Sequence, residues 1–587
     1  MRWNIKHPEP VENIDDVLKI LLENRGIDKD FLREYTVDDL PDPMTIFDMD
    51  KCVTRIQKAI DNKEKIYIHG DFDVDGTAAT AILWSYLYRV KNADVMPYIP
   101  HRVDEGYGIS KKTLDTIIAE GAKLIISVDC GVKDIELVEY AKSHGVDVII
   151  SDHHEFVRNE ADEPVLPDTI VIHGMHPKSK NPLIICGGVT AWMIVCALEY
   201  TYTGYGYTKD SLKFVDLAAI TTLSDIMPLK GVNRIIVSLG LQYMRGGLVI
   251  PQGELSNEEK NEMSIGLLEL CKIAAVEPIN LDTYHVGFVL GPRLNAPGRV
   301  ENSAINSLRL LCTESPSKAK ELAKHLDELN KKRQDMTELY MREVEKQIDL
   351  DENKIVKSKI IFAHGTDWPE GIVGLVAGKI AEKYYRPTLV MSFNIHENKV
   401  TGSARSIKNF HLVKALDECK DELVRFGGHY MAAGYTLEPS KIESFREKIT
   451  AVANKILTDE DIIPESNIDC VLTGEALFIN LHEKIRSLSP FGYGNTTPIF
   501  ASLKAELIDV KYMGANGQHA KFVWSVDGNV VESVAFNISD RFRKLEIGKP
   551  YDISYNVDVN EWNGKRTLQL GLKDVISLKP KNIENKT

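Results

Sequence analysis

The rhythm of apolar and polar positions changes several times along the chain. Residues 1–45 are mixed and acidic, carry Pro8, Pro10, Pro41 and Pro43, and read as a short helical lead-in. A βα alternation follows. The apolar run Ile66-Tyr67-Ile68 leads to a helical stretch from Thr77 to Val90. Leu124 to Val128 is a second strand, with a helix from Asp134 to Ser143 behind it, and Val146 to Ile150 is a third. Ile- and Val-rich strands alternating with amphipathic helices predict a mostly parallel sheet with helices on both faces. Residues 185–245 read as largely helical.

A helix starts at Ser315-Pro316, a capping residue followed by proline in the first turn. Ala319, Leu322, Leu326, Leu329, Met336, Tyr340 and Ile348 then recur at helical spacing. So long and charged a helix suits either a connector between domains or an ordinary bundle helix. From Lys359 a second α/β pattern begins: strand Ile360 to Ala363, helix Ile372 to Tyr384, strand Thr388 to Ser392. Between 466 and 579 short alternating runs dominate, broken by the hairpin signals Asp527-Gly528 and Asn563-Gly564. That pattern predicts a small all-β module, a barrel of the oligonucleotide-binding (OB) type.

Composition narrows the classes. The 587 residues are 43% hydrophobic and 27% charged, as in a globular protein, and no apolar run approaches the roughly 18 residues a membrane span needs. Eight cysteines stand singly, without a CxxC pair, which argues against a zinc ribbon or a disulfide framework and for a reducing cytoplasm. A net charge of −15 speaks against indiscriminate binding to duplex nucleic acid.

Chemistry gathers at the strand ends of the first α/β region. The first strand runs into His69-Gly70-Asp71-Phe72-Asp73-Val74-Asp75-Gly76, the second into Asp129-Cys130-Gly131, the third into Ser151-Asp152-His153-His154-Glu155. In a parallel sheet these ends converge on one crevice. Carboxylates so close would repel one another unless a divalent cation sits among them. Mixed oxygen and imidazole donors suit Mn²⁺, with Fe²⁺ or Zn²⁺ as alternatives, and their number suffices for two ions. An EF-hand loop is excluded, because Ile82 stands where its glutamate is required.

A strand into DxDxDG, a strand ending VDCG and a strand ending SDHHE resemble the DHH phosphoesterase superfamily. The resemblance implies two metals, Mn²⁺ or Mg²⁺, held by Asp71, Asp73, Asp75, Asp129, His153 and Asp225, the last within Thr222-Leu223-Ser224-Asp225. His69 is either a further ligand or a hydrogen-bonding support to one. Longer motifs resemble the RecJ branch: Pro100-His101-Arg102 with Glu105-Gly106-Tyr107-Gly108, Gly291-Pro292-Arg293-Leu294-Asn295-Ala296-Pro297-Gly298-Arg299, Asn330-Lys331-Lys332-Arg333-Gln334, Gly402-Ser403-Ala404-Arg405-Ser406, Gly427-Gly428-His429 and Pro490-Phe491-Gly492. Trp368-Pro369-Glu370-Gly371 departs from a pattern with histidine or asparagine after the tryptophan.

The architecture so implied is a two-lobed α/β enzyme: lead-in 1–45, DHH catalytic domain 46–250, helical connector 251–355, DHHA1 substrate-binding domain 356–458 and OB domain 466–579. The implied activity is 5′-to-3′ hydrolysis of single-stranded DNA to 5′-mononucleotides in repair and recombination. Asp129, His154 and His429 would be catalytic. Arg102, Arg293, Asn295, Arg299, Gln334, Ser403, Arg405, Gly427, Gly428 and His429 would bind the strand, with Arg102, Ser403 and Arg405 on its 5′ phosphate. In the OB module Tyr512, Phe522, Trp524 and Trp562 are available for base stacking or for the core. The implied setting is a cytoplasmic monomer, free of membranes, with a single-strand binding protein and a helicase as candidate partners. Two rivals stay in view: a phosphodiesterase for short oligoribonucleotides or cyclic dinucleotides, and an inactive DNA-binding scaffold.

Overall fold

The computed structural model describes residues 2–106, 108–248, 263–350, 358–562 and 564–577. They divide into two compact units. One takes its residues from Met1–Glu34, Ile463–Phe491 and Asn495–Thr587, the other from Tyr35–Ile462 with Gly492–Gly494.

The larger unit contains two sheets. The first has the strand order Val95–Tyr98, Ile66–His69, Leu124–Val128, Asp147–Ser151, Ile170–Ile172, and every pairing is parallel. Ile66–His69 and Leu124–Val128 are buried at every position, as parallel strands covered on both faces must be. The helices Val74–Ser85, Gly187–Thr203 and Val215–Ser224 are apolar almost all round and lie inside the unit. The three predicted strands are the central ones. The edge strands Val95–Tyr98 and Ile170–Ile172 were not legible, being three or four residues long and, in the first case, interrupted by Pro97.

The second sheet runs Arg425–Gly428, Ala432–Leu437, Lys399–Arg405, Thr388–Asn394, Ile361–Thr366, parallel only in its last pair. The helix Pro316–Leu350 is 35 residues long, roughly 50 Å. Its first half contributes Leu322, Ala323 and Leu326 to the core around the first sheet, and its second half packs Val344 and Ile348 against Val376 and Ile380 beside the second. It is therefore a connector.

The smaller unit is a seven-stranded sheet in which Phe500–Met513 also pairs with Pro550–Trp562, closing a barrel. Asp527 and Gly528, both at positive φ, form the predicted hairpin between His519–Val526 and Asn529–Ala535. Asn563 lies outside the described residues, as do Tyr107 and the side chain of Trp562; Trp562 pairs with Lys565 across that turn. Phe522 and Trp524 are barrel core, whereas Tyr512 is 42% exposed.

The lead-in expected to be helical opens with a strand, Arg2–Val11, running parallel to Glu465–Leu472, and turns helical only from Ile14 to Arg25. It is the edge of the sheet, where Pro8 and Pro10 are tolerated beside an irregularity in register between His7 and Pro10. Trp3 Nε1 donates to Asp574 Oδ2 at 2.8 Å, tying the two ends of the sequence together. Among the described residues no helix is long and apolar enough to cross a membrane.

Candidate active site

The crevice at the C-terminal ends of the first sheet gathers five aspartates and two histidines. Asp73 caps the helix Val74–Ser85, its Oδ1 accepting the N–H of Gly76 at 3.1 Å. Asp75, in the first turn of that helix, accepts from Gly187 N–H at 2.7 Å and Gly188 N–H at 2.8 Å, the opening residues of the buried helix Gly187–Thr203. A helix N-terminus thereby fixes the position and orientation of this carboxylate. Asp129 leaves its strand at φ +61, a strained conformation for a non-glycine residue and one that functional sites concentrate. Asp225 closes the helix Val215–Ser224.

His153 joins these elements. Its Nε2 lies 3.1 Å from Asp129 Oδ1, 3.6 Å from Asp75 Oδ2 and 3.7 Å from Asp225 Oδ2. Three convergent groups could each hold a cation: Asp71 with Asp73 and Asp129, Asp75 with His153 and Asp225, and Asp129 with His153 and His154. Asp152 plays a different part. Its Oδ2 accepts from Val132 N–H at 2.9 Å, and its Oδ1 accepts from the backbone N–H groups of His153 and His154 at 2.7 and 3.1 Å and faces His154 Nδ1 at 2.8 Å. It holds the histidine loop in place.

The electrostatics follow from burial. Burial and the charge of Asp73 push Asp71 well above the carboxylate range; burial and the charges of Asp75, Asp73 and Asp71 do the same to Asp129. Burial and Asp75 raise Asp73, and burial with repulsion from Asp75 and Asp73 pushes Asp225 up to about 8. Burial would also raise Asp152, but the hydrogen bond and charge of His154 and the backbone donors hold it at about 2. His154, which burial alone would lower, is kept above the usual imidazole value by Asp152. His69 lies beneath the crevice, wholly buried and stacked on Tyr98, with its Nδ1 3.6 Å from the Cys130 thiol; burial lowers it to about 4. Its Nε2 and Asp71 Oδ1 are buried without a hydrogen-bond partner. Orphaned acceptors beside mutually repelling carboxylates are what a site for divalent cations requires.

Next to this crevice is a cavity of about 190 Å³ lined by Arg102, Glu370, Thr401 and Ser403 among others. The Arg102 guanidinium sits 4.8 Å over the ring of Phe72, the residue between Asp71 and Asp73. Arg405 donates through Nη1 to Ser403 Oγ at 3.0 Å. Arg299 is half-buried, lowered to about 10 by desolvation and by the neighbouring cations Arg102 and Arg333, and its Nη1 donates to Gly371 O at 3.4 Å. Glycine is required at 371, since a Cβ there would lie 2.4 Å from Arg299 O.

Other expected residues are placed differently. Arg293 clasps Asp327 through Nε and Nη2, each at 3.0 Å, so its guanidinium is taken up internally. Asn295 Oδ1 accepts the N–H of Val74 at 3.1 Å, bracing the helix that carries Asp75. Gln334 is exposed on the connector helix. Gly427, Gly428 and His429 lie exposed at the turn that joins the last two strands of the second sheet, with His429 N–H donating to Ala432 O at 2.8 Å. Sequence reasoning missed Gly187, Gly188, Phe72 and Glu370. It also missed His173, 2% exposed, whose Nε2 lies 3.0 Å from His154 O. Of these, only the Gly187-Gly188 pair opening an apolar helix carried a readable signal.

Comparison with known proteins agrees with this geometry. Residues 65–218 match the N-terminal domain of the DHH family, 354–455 the DHHA1 domain and 468–574 the RecJ OB domain. The fold and site thus define a DHH-type protein. The chain is 35% identical to the single-stranded-DNA-specific exonuclease RecJ of Bacillus subtilis (strain 168), over 98% of this chain and 70% of that protein. It is 28% identical to the Haemophilus influenzae RecJ, over 92% of each. The chain belongs to the RecJ family. Among solved structures, RecJ of Thermus thermophilus in complex with Mn²⁺ superposes with a TM-score of 0.79 at 24% identity, covering 99% of this chain and 80% of that one. An exonuclease RecJ bound to manganese gives 0.58 at 29% identity, covering 71% and 96%.

Proposed function

We propose that this chain is a divalent-metal-dependent exonuclease that hydrolyses single-stranded DNA from its 5′ end and releases 5′-mononucleotides. The observation that carries the proposal is Phe72: its two flanking aspartates belong to the acidic crevice, and its ring supports Arg102 of the neighbouring cavity. Arg102, Ser403 and Arg405, beside the carboxylates, offer the guanidinium and hydroxyl donors that suit a terminal phosphate.

The residues fit two cations, Mn²⁺ or Mg²⁺. Asp71, Asp73 and Asp129 would hold one and Asp75, His153 and Asp225 the other. Bound there, such ions supply Lewis-acid charge for the phosphoryl oxygens and make water a stronger nucleophile. The chain's own groups do the rest. Asp152 orients His154 and favours its protonated form, in which it can donate to charge developing on the scissile phosphate. The N-terminus of Gly187–Thr203 fixes Asp75, and Arg299 places a second cation beside the strand's path. His429 is the proposed donor from the second sheet. All eight cysteines are free thiols, which supports a reducing cytoplasmic setting.

The test is hydrolysis of a 5′-phosphorylated single strand against the same sequence as blunt duplex, with Mn²⁺. The proposal expects the single strand to be degraded far faster; equal rates would refute strand selectivity.

A further inference from the structure

The connector helix Pro316–Leu350 turns one basic group toward the middle of the larger unit. Leu326, Asn330, Arg333 and Thr337 recur at helical spacing and share one face; Arg333 is half-buried and the other three are buried. Two turns beyond Arg333, Tyr340 stacks on Trp368 at 4.7 Å, and three residues after Trp368 the backbone of Gly371 lies against the carbonyl of Arg299. Arg333 thus faces the side on which Arg299 stands. The charge of Arg333 helps to lower Arg299, and burial with the charge of Arg293 lowers Arg333 in turn.

Asn330 fixes this guanidinium. Its Oδ1 accepts from Arg333 Nε at 3.1 Å and from Nη2 at 3.0 Å, while Nη1 has no hydrogen-bond partner among the described residues. Nor does any carboxylate among them pair with Arg333. Asp327, six residues before it, is already taken by Arg293 at 3.0 Å and Lys331 at 2.9 Å. A guanidinium half out of water, held in one orientation beside charges of its own sign, is stabilised by an anion brought from outside. Its open edge suits the oxygens of a phosphodiester. Arg299 feels Arg102 and Arg405 as well as Arg333, whereas the charge that acts on Arg333 is that of Arg293, so Arg333 stands farther from the terminal-phosphate donors. We propose that Arg333, aimed by Asn330, grips an internal phosphate of the single strand, beyond the phosphate held by Arg102, Ser403 and Arg405. The inference rests on the strand-hydrolysing reading above and adds to it a second point at which the backbone is held.

Anisotropy titrations of the full chain with a labelled, 5′-phosphorylated single strand, in EDTA and over a series of salt concentrations, test it. Arg333→Ala should weaken binding by about tenfold and flatten the slope of log K against log salt by about 0.7, the share of one phosphate on a single strand. Arg333→Lys should keep the slope, and so should Lys324→Ala, which removes an outward cation of the same helix beside Glu328. The loss in Arg333→Ala should recur with a 5′-hydroxyl strand, because the phosphate concerned is internal. Arg333→Gln, which keeps a donor for Asn330, decides the matter if Arg333→Ala fails to fold. An unchanged slope in the folded variant, or a loss that disappears with the 5′-hydroxyl strand, overturns the proposal. A wild type that binds no single strand overturns the strand-hydrolysing reading with it; a wild type that binds while the variants keep its slope overturns this proposal alone.

Discussion

His153 places its Nε2 3.1 Å from Oδ1 of Asp129, a carboxylate held in the left-handed backbone region at the end of its strand. Asp129 is also shared between two of the convergent groups. Asp129→Asn is therefore expected to cut the rate on single-stranded DNA by about 10²–10³-fold or more. The same change removes one of several repelling charges, so in EDTA the variant should melt higher than the wild type. Steady-state rates with Mn²⁺ and thermal melts without it check both halves. A variant with wild-type activity would remove Asp129 from the site.

Asp225 is raised to about 8, and Asp71, Asp73 and Asp129 are raised with it. An acid whose folded-state pKa exceeds its unfolded value of about 3.9 stabilises the fold below that value, and the contribution is lost as pH climbs through the folded pKa. Without metal the protein should thus lose melting temperature between about pH 4 and pH 8, and Asp225→Asn should lose less. Melts in EDTA at pH 5.5 and 8.5 decide; a metal-free wild type that gains stability across this range contradicts the assignment.

Gly187 sits where a Cβ would come within 2.6 Å of Asp129 Cβ. Alanine ordinarily favours a helix by about 0.5–1 kcal/mol over glycine, but here it must displace a carboxylate. Gly187→Ala is expected to keep its fold while the Mn²⁺ concentration for half-maximal activity rises about 10–100-fold. An unchanged metal requirement would show that the close approach is incidental.

Arg102 and Arg293 looked alike in sequence, both in Gly- and Pro-rich surroundings. In the structure Arg102 lines a cavity and Arg293 grips Asp327. Arg102→Ala should raise KM for a 5′-phosphorylated strand by about 10–100-fold. Arg293→Ala should instead cost about 1–3 kcal/mol of stability with little change in KM. A reversal of these two effects would exchange their roles.

The divide between what could and could not be read is physical. Asp71, Asp73, Asp75, Asp129 and His153 were legible because each follows a buried apolar strand within a few residues, so local pattern alone carries them to one edge of a parallel sheet. The Gly187 and Gly188 donors to Asp75 are 112 and 113 residues away in sequence, and the Arg293 clasp spans 34. Only tertiary packing makes those pairs. Arg2–Val11 was misread for the same reason: its partner begins at Glu465, and Pro8 and Pro10 break off the short alternation that Trp3 and Ile5 begin.

The most direct measurement follows single-stranded oligonucleotides labelled at either end, incubated with Mn²⁺ and either the wild type or Asp129→Ala. The account predicts that the wild type releases a labelled mononucleotide at once from the 5′-labelled strand, progressively shortens the 3′-labelled strand, and that Asp129→Ala does neither. Release beginning at the 3′ end, or cleavage confined to di- to tetranucleotides, would contradict it.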